Sequence, residues 1–209
     1  MILLIRHAMV DAHCRFLPGR MPGVHLNEVG RRQAAALGTA LRQIPLTAVY
    51  SSPLERARET ADALTDRPGH VTIVDELNEI DFGEWTGLPY NQLERQYEWI
   101  AFMRHRARSP IPGGEWMLNV QMRAWRAIGR LQRAHHGVAI AVVSHHDVLR
   151  SVVAKVMDVP LDRLDSFRID PASVSSLEWS STGFEITQMN NRSYSERPVP
   201  HAIELAQAQ

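Results

Sequence analysis

The chain has 209 residues, enough for one well-buried domain and short for two, so a single domain over 1–209 is expected. Lysine plus arginine equals aspartate plus glutamate at 23 each, and no bulk charge directs the chain to nucleic acid or to an anionic membrane. The one cysteine, Cys14, excludes an internal disulfide and a four-cysteine zinc site and fits a reducing, cytoplasmic setting, while the apolar run 1–5 is too short for a signal segment or a membrane span.

Residues 2–5, Ile-Leu-Leu-Ile, suit a strand buried on both faces, and Arg6-His7-Ala8 follows it. Ala34, Leu37, Leu41 and Ile44 then recur at helical steps behind Asn27, which reads as an N-cap. A weaker strand, 47–50, precedes a second helix with Ser52 as cap, Pro53 as first helical residue and Glu55 completing a capping box; Ala57, Ala61 and Leu64 form its apolar stripe. Residues 71–74 form a further strand, with Glu79 placed directly after it. From 89 to 136 no strand pattern occurs, and two helices are expected, split at Ser109-Pro110-Ile111-Pro112-Gly113-Gly114. The second of them buries Val120, Ala124, Ala127 and Leu131, and the whole segment reads as a helical roof. The apolar run 138–143 ends at Ser144-His145-His146, where another helix opens. Segments 173–179 and 184–189 flank Ser180-Ser181-Thr182-Gly183 as a hairpin at the sheet edge. The tail from 193 has no periodicity and is left unassigned. Strands alternating with helices give an α/β fold: a three-layer α/β/α sandwich around a mostly parallel sheet with right-handed crossovers.

In such sheets ligands bind beyond the carboxyl ends of the strands. Those ends deliver Arg6 and His7, then Ser51 and Ser52 with Arg56 one helical turn on, then His145 and His146. Helix N-termini opening at the same place add N–H groups and positive dipole ends, so the pocket suits an anion. Arginine forks match phosphate oxygens, and an anchored histidine with one bare ring nitrogen can attack phosphorus. A departing alkoxide needs a proton, for which Glu79 is the choice over Asp81 and Glu84, because a nearby phosphate would keep its carboxyl protonated. Each residue alone has a plainer reading: Arg6-His7 as a surface dipeptide, Arg56 as a helix charge, Glu79 as a loop carboxylate. Only their joint placement argues for chemistry.

Taken in order, Arg6-His7, Ser52-Pro53-Leu54-Glu55-Arg56-Ala57, Leu77-Asn78-Glu79 with Phe82-Gly83, Pro112-Gly113-Gly114-Glu115, and Ser144-His145 with Val148-Leu149-Arg150 resemble the histidine phosphatase superfamily, or phosphoglycerate mutase-like family, over roughly 2–190. The resemblance implies a phosphate monoester hydrolase acting on a small phosphorylated metabolite. His7 would carry the phosphoryl group, Arg6, Arg56 and His145 would hold its oxygens, and Glu79 would serve as acid and then base. It implies no metal and no cofactor. The chain departs from the family pattern at Ala8, Met9, Val10 and His13, where glycine, a variable residue, threonine and asparagine are common, and at His146, where glycine is common. His13 and His146 are the candidate replacements in the substrate shell. Rival readings are a metal-dependent hydrolase using the paired histidines, a phosphoglycerate mutase-type phosphotransferase, and a phosphate-binding regulatory protein without turnover. Adjacent histidines point apart and nearby arginines repel a divalent cation, which disfavours the first. A homodimer is kept open, and the substrate choice is assigned to 89–115 and 8–22.

Overall fold

The computed structural model describes residues 1–11, 15–66 and 69–193. His13, Cys14 and the tail beyond 193 therefore lie outside the described residues. Six strands form one sheet in the order β3-β2-β4-β1-β5-β6. They are β1 (Ile2–Arg6), β2 (Leu46–Ser51), β3 (Val71–Ile73), β4 (Ala139–Ser144), β5 (Val174–Ser180) and β6 (Gly183–Asn191). The first four run parallel, β5 turns back antiparallel along β1, and β6 completes the edge hairpin. The fold is α/β, as expected.

The period of two in β1 explains the layering. Leu3 and Ile5, with Val49, Ala141 and Val143, meet helices α1 (Glu28–Leu41) and α2 (Glu55–Asp62) on one face. Ile2 and Leu4, with Ile140 and Val142, meet α5 (Met117–Ala134) and α6 (His146–Val156) on the other. Between β3 and α5 lie the short α3 (Tyr90–Leu93) and α4 (Tyr97–Arg104), and α4 packs Trp99 and Phe102 against Trp85. Trp85 is core and Trp99 packs edge-on against it at 5.2 Å.

Several local expectations need correction. The segment 89–136 holds three helices, and α5 is a face of the sandwich, burying Val120, Ala124, Ala127 and Leu131 as expected; the roof is the part before it. Ile44 and Leu64 lie beyond the ends of α1 and α2 and pack as partly buried loop residues. Asn27 does cap α1, accepting from the Gly30 amide at 2.8 Å. Ser52 does not cap α2, whose N-cap is Leu54. Its hydroxyl is held against His145, and the Glu55 carboxylate accepts from the Gly23 amide at 3.1 Å, so no capping box closes. No helix among the described residues is long and apolar enough to cross a membrane.

Candidate active site

Three strand ends converge. β1 ends at Arg6, and the next amide, of His7, donates to the Ser144 carbonyl at 2.9 Å. β2 ends at Ser51, and the Ser52 amide donates to the Val143 carbonyl at 3.0 Å. β4 ends at Ser144, and His145 is the extended N-cap residue of α6. Side chains that follow separate strands in sequence are thus neighbours in space. The structure brings Arg6, His7, Arg56, Glu79 and His145 together, all of them buried.

Nδ1 of His7 lies 2.8 Å from the Ala8 carbonyl oxygen. A carbonyl can only accept, so Nδ1 carries a proton, and in the neutral ring the lone pair lies on Nε2. The ring faces that of His145 with centroids 5.2 Å apart. His145 is fully buried, its Nε2 is 2.7 Å from the Ser52 hydroxyl, and its Nδ1 is 3.8 Å from a Glu79 carboxylate oxygen.

The arginines are fixed through their far ends. Nη1 of Arg6 donates to the Ile169 carbonyl at 2.8 Å, and Nη2 of Arg56 donates to the Gly19 carbonyl at 2.7 Å. Nε and Nη1 of Arg56 are buried with no hydrogen-bond partner among the described residues. Burial lowers Arg6 to about 10, against the charges of Glu79, Asp147 and Asp170, and lowers Arg56 too; Arg6 stays cationic at neutral pH. Two buried guanidinium groups gathered with His7 and His145 make a site suited to an anion.

Glu79 does not follow β3 directly. A single 3-10 turn, Asp75–Leu77, intervenes, and the Ser144 hydroxyl donates to the Leu77 carbonyl at 2.7 Å, tying this loop to the end of β4. Burial, reinforced by the nearby charge of Asp147, raises the Glu79 carboxyl to about 7, while Arg56, the Ile80 amide and Arg6 pull the other way. At about 7 the carboxyl is roughly half protonated at neutral pH with no phosphate present.

A brace around Glu79 was not legible in the sequence. Arg123 of α5 donates to the Glu76, Asn78 and Glu79 carbonyls at 2.6, 2.7 and 3.1 Å, and Arg20 reaches the Glu79 carbonyl at 2.8 Å. Both arginines also grip Glu115, at 2.7 Å from Arg20 and 3.0 Å from Arg123. Gly83, at φ +48, approaches so closely that an added Cβ would lie 2.2 Å from the Pro112 carbonyl oxygen. Pro112-Gly113-Gly114-Glu115 thus locks the loop that carries Glu79 in place. The available signal was Arg123 itself, a charge next to the apolar stripe of α5.

At the altered positions, Ala8 is buried with its amide on the Thr60 hydroxyl at 3.0 Å, and Val10 packs with Leu26, Ala34 and Ala172. His146 is half-buried with Nδ1 3.6 Å from Asp147, and burial beside Arg6 keeps it neutral. His25 pairs with Glu59 on an exposed loop, and Trp116 is 44% exposed.

Known proteins share both the sequence and the fold. The chain is 32% identical over 196 residues to the adenosylcobalamin/alpha-ribazole phosphatase of Escherichia coli, covering 90% of this chain and 95% of that one. It is 28% identical over 195 residues to phosphoserine phosphatase 1 of Hydrogenobacter thermophilus, covering 90% and 91%. Among solved structures, Bacillus stearothermophilus YhfR superposes with a TM-score of 0.87 at 27% identity, covering 92% of this chain and 98% of that one. The alpha-ribazole phosphatase of Shigella flexneri superposes with a TM-score of 0.81 at 29% identity, covering 91% and 96%. The profile of the histidine phosphatase superfamily (branch 1) matches residues 2–192, and the chain belongs to that family.

Proposed function

We propose that the protein hydrolyses monoesters of small phosphorylated metabolites through a phosphohistidine on His7, without a metal ion. Nε2 of His7 attacks phosphorus as the ester P–O bond breaks, Arg6, Arg56 and His145 hold the transferring oxygens, and Glu79 gives its proton to the departing alkoxide. Water then attacks the phosphohistidine, Glu79 takes the water proton, and phosphate leaves with His7 restored.

The observation that carries this is the fixed His7 tautomer: the Ala8 carbonyl holds the Nδ1 proton and leaves Nε2 to attack, beside the unpartnered Nε and Nη1 of Arg56. The relatives named alpha-ribazole and phosphoserine phosphatases support hydrolysis as the outcome, and the difference between their substrates leaves the choice of ester to the roof and the loop after His7. Metal-free action is favoured by buried arginines at the reacting centre and by the lack, among the described residues, of three or more His, Cys, Asp or Glu side chains grouped to hold an ion. The single cysteine fits a cytoplasmic setting.

Alkaline denaturing quench of wild type during turnover of a labelled substrate is expected to trap an acid-labile, base-stable phosphoprotein, and His7→Ala to lose both label and turnover. Label persisting on the His7→Ala protein would overturn the assignment. Activity should survive excess EDTA in full; a loss restored by a divalent metal would remove the metal-free part.

A further inference from the structure

Arg20 stands in the loop after His7 and spreads its guanidinium over three acceptors on the facing wall. Nε donates to the Glu79 carbonyl at 2.8 Å, Nη2 donates to a Glu115 carboxylate oxygen at 2.7 Å, and Nη1 lies 3.6 Å from Asp81. The residue before it faces the other way: the Gly19 carbonyl accepts from Nη2 of Arg56 at 2.7 Å. Two consecutive residues thus hold the main chain of the proposed acid with a side chain and the proposed phosphate-binding arginine with a carbonyl. Their loop has an anchor of its own. The Leu17 amide donates to the Leu88 carbonyl at 3.0 Å, and the Gly87 amide donates to the Leu17 carbonyl at 2.8 Å.

Stability alone does not call for Arg20. Arg123 already bonds the Glu76, Asn78 and Glu79 carbonyls and grips Glu115, while the Arg20 side chain is 34% exposed, where an ion pair adds little to folding. What the bonds of Arg123 do not supply is a link to the arginine of the phosphate site, because they run from α5 to the Glu79 loop and to Glu115. The two lone pairs of the Glu79 carbonyl oxygen take one arginine from α5 and one from the loop after His7, so Glu79 is located from two sides. A planar guanidinium fixes direction as well as distance. Placing the main chain places the carboxyl too, since one of its oxygens accepts from the Ile80 amide at 2.9 Å and the other lies 3.8 Å from Nδ1 of His145. We propose that Arg20 is a positioning residue for the acid step: it sets the reach from the Glu79 carboxyl to the leaving oxygen of an ester held by Arg56, and thereby how well poor leaving groups are cleaved. This rests on the reading of Glu79 as the acid. Proton transfer needs hydrogen-bond distance to the departing oxygen, whereas attack on phosphorus does not use this loop, so loosening it slows esters that need the proton and spares those that do not.

The test compares kcat/KM on glycerol phosphate, whose leaving group needs a proton, with kcat/KM on 4-nitrophenyl phosphate, whose leaving group does not. Arg20→Gln should lower the alkyl value by about 10- to 100-fold and the aryl value by less than about threefold, with inhibition by inorganic phosphate unchanged. Arg20→Lys should recover only part of the alkyl rate, because an ammonium lacks the planar fork that spans carbonyl and carboxylate. A merely stabilising ion pair predicts equal losses on both esters and a lower melting temperature; that result, or an unchanged alkyl-to-aryl ratio in Arg20→Gln, overturns the proposal. In a Glu79→Gln background, Arg20→Gln should leave the ratio where it stands, since the group it places has lost its proton-transfer role; a further drop would make Arg20 itself the group that meets the leaving oxygen and would equally overturn it. Glu79→Gln alone separates the two levels: an unchanged ratio there means that the acid assignment fails, whatever Arg20 does.

Discussion

In the proposed reaction Glu79 is protonated when the ester bond breaks and ionised when water attacks, and a carboxyl near pH 7 can do both at neutral pH. Its exchange for glutamine should therefore act selectively. Glu79→Gln is expected to lower kcat/KM on alkyl phosphates by about 10² to 10⁴ and on aryl phosphates by far less, measured side by side at pH 6. Equal losses on both would move the acid role to another group. The residues proposed for this chemistry were readable from the chain because most stand immediately after an apolar strand or inside the next helical turn, Glu79 following β3 after one 3-10 turn. Their supports were not: Ser52 read as a helix cap, and only the tertiary structure reveals that its hydroxyl lies against His145. A serine offers the same atoms to either use, and sequence spacing favours the local one.

At the scale of elements, the loop that follows His7 is gripped by the start of α1. The Met9 carbonyl accepts from the Asn27 amide at 3.1 Å, and the Met9 amide donates to Gln33 at 3.0 Å. Gly30 approaches this carbonyl so closely that an added Cβ would lie 2.0 Å from it. Gly30→Ala should then destabilise the fold by about 1–3 kcal/mol and reduce turnover as the loop after His7 shifts. Gly129→Ala is the control. An added Cβ there meets only the tip of Arg133 at 3.5 Å, so the exchange should stabilise α5 by about 0.5–1 kcal/mol and leave turnover unchanged. Denaturant unfolding and initial rates on the two variants check both. Helices with a clear apolar stripe, α1 and α5, were legible in the sequence, whereas α3 and α4 were run together. A four-residue helix such as α3 is too short for its periodicity to register.

Across the whole molecule, keeping Glu79 protonated has a thermodynamic side. The unfolded chain releases this proton near 4.5 and the folded chain near 7, so the folded state binds more protons between those values and loses relative stability as pH rises through them. Above pH 7 the penalty is constant at about 3 kcal/mol or less. Glu79→Gln should raise the melting temperature at pH 8, with the gain shrinking toward pH 5, as calorimetry across that range can record; a gain independent of pH would mean that the carboxyl is not strained by its surroundings. The α/β class and the edge hairpin followed from the alternation of apolar runs and helical stripes. The strand order did not, because nothing in residues 2–5 says that their neighbours will be 139–144 and 174–177.

That order has a further consequence on the ribosome. Of the six described strands β1 is made before the others, yet its hydrogen-bonding partners β4 and β5 come well over a hundred residues later, so four apolar residues wait unpaired while the intervening chain is synthesised. At about 5–20 residues per second the delay is on the order of ten seconds, long enough for a chaperone to bind. Residues 6, 7, 56, 79 and 145 meet only when β4 docks beside β1, and so catalytic competence arrives with the closing of the sheet's centre, after most of the helices already exist.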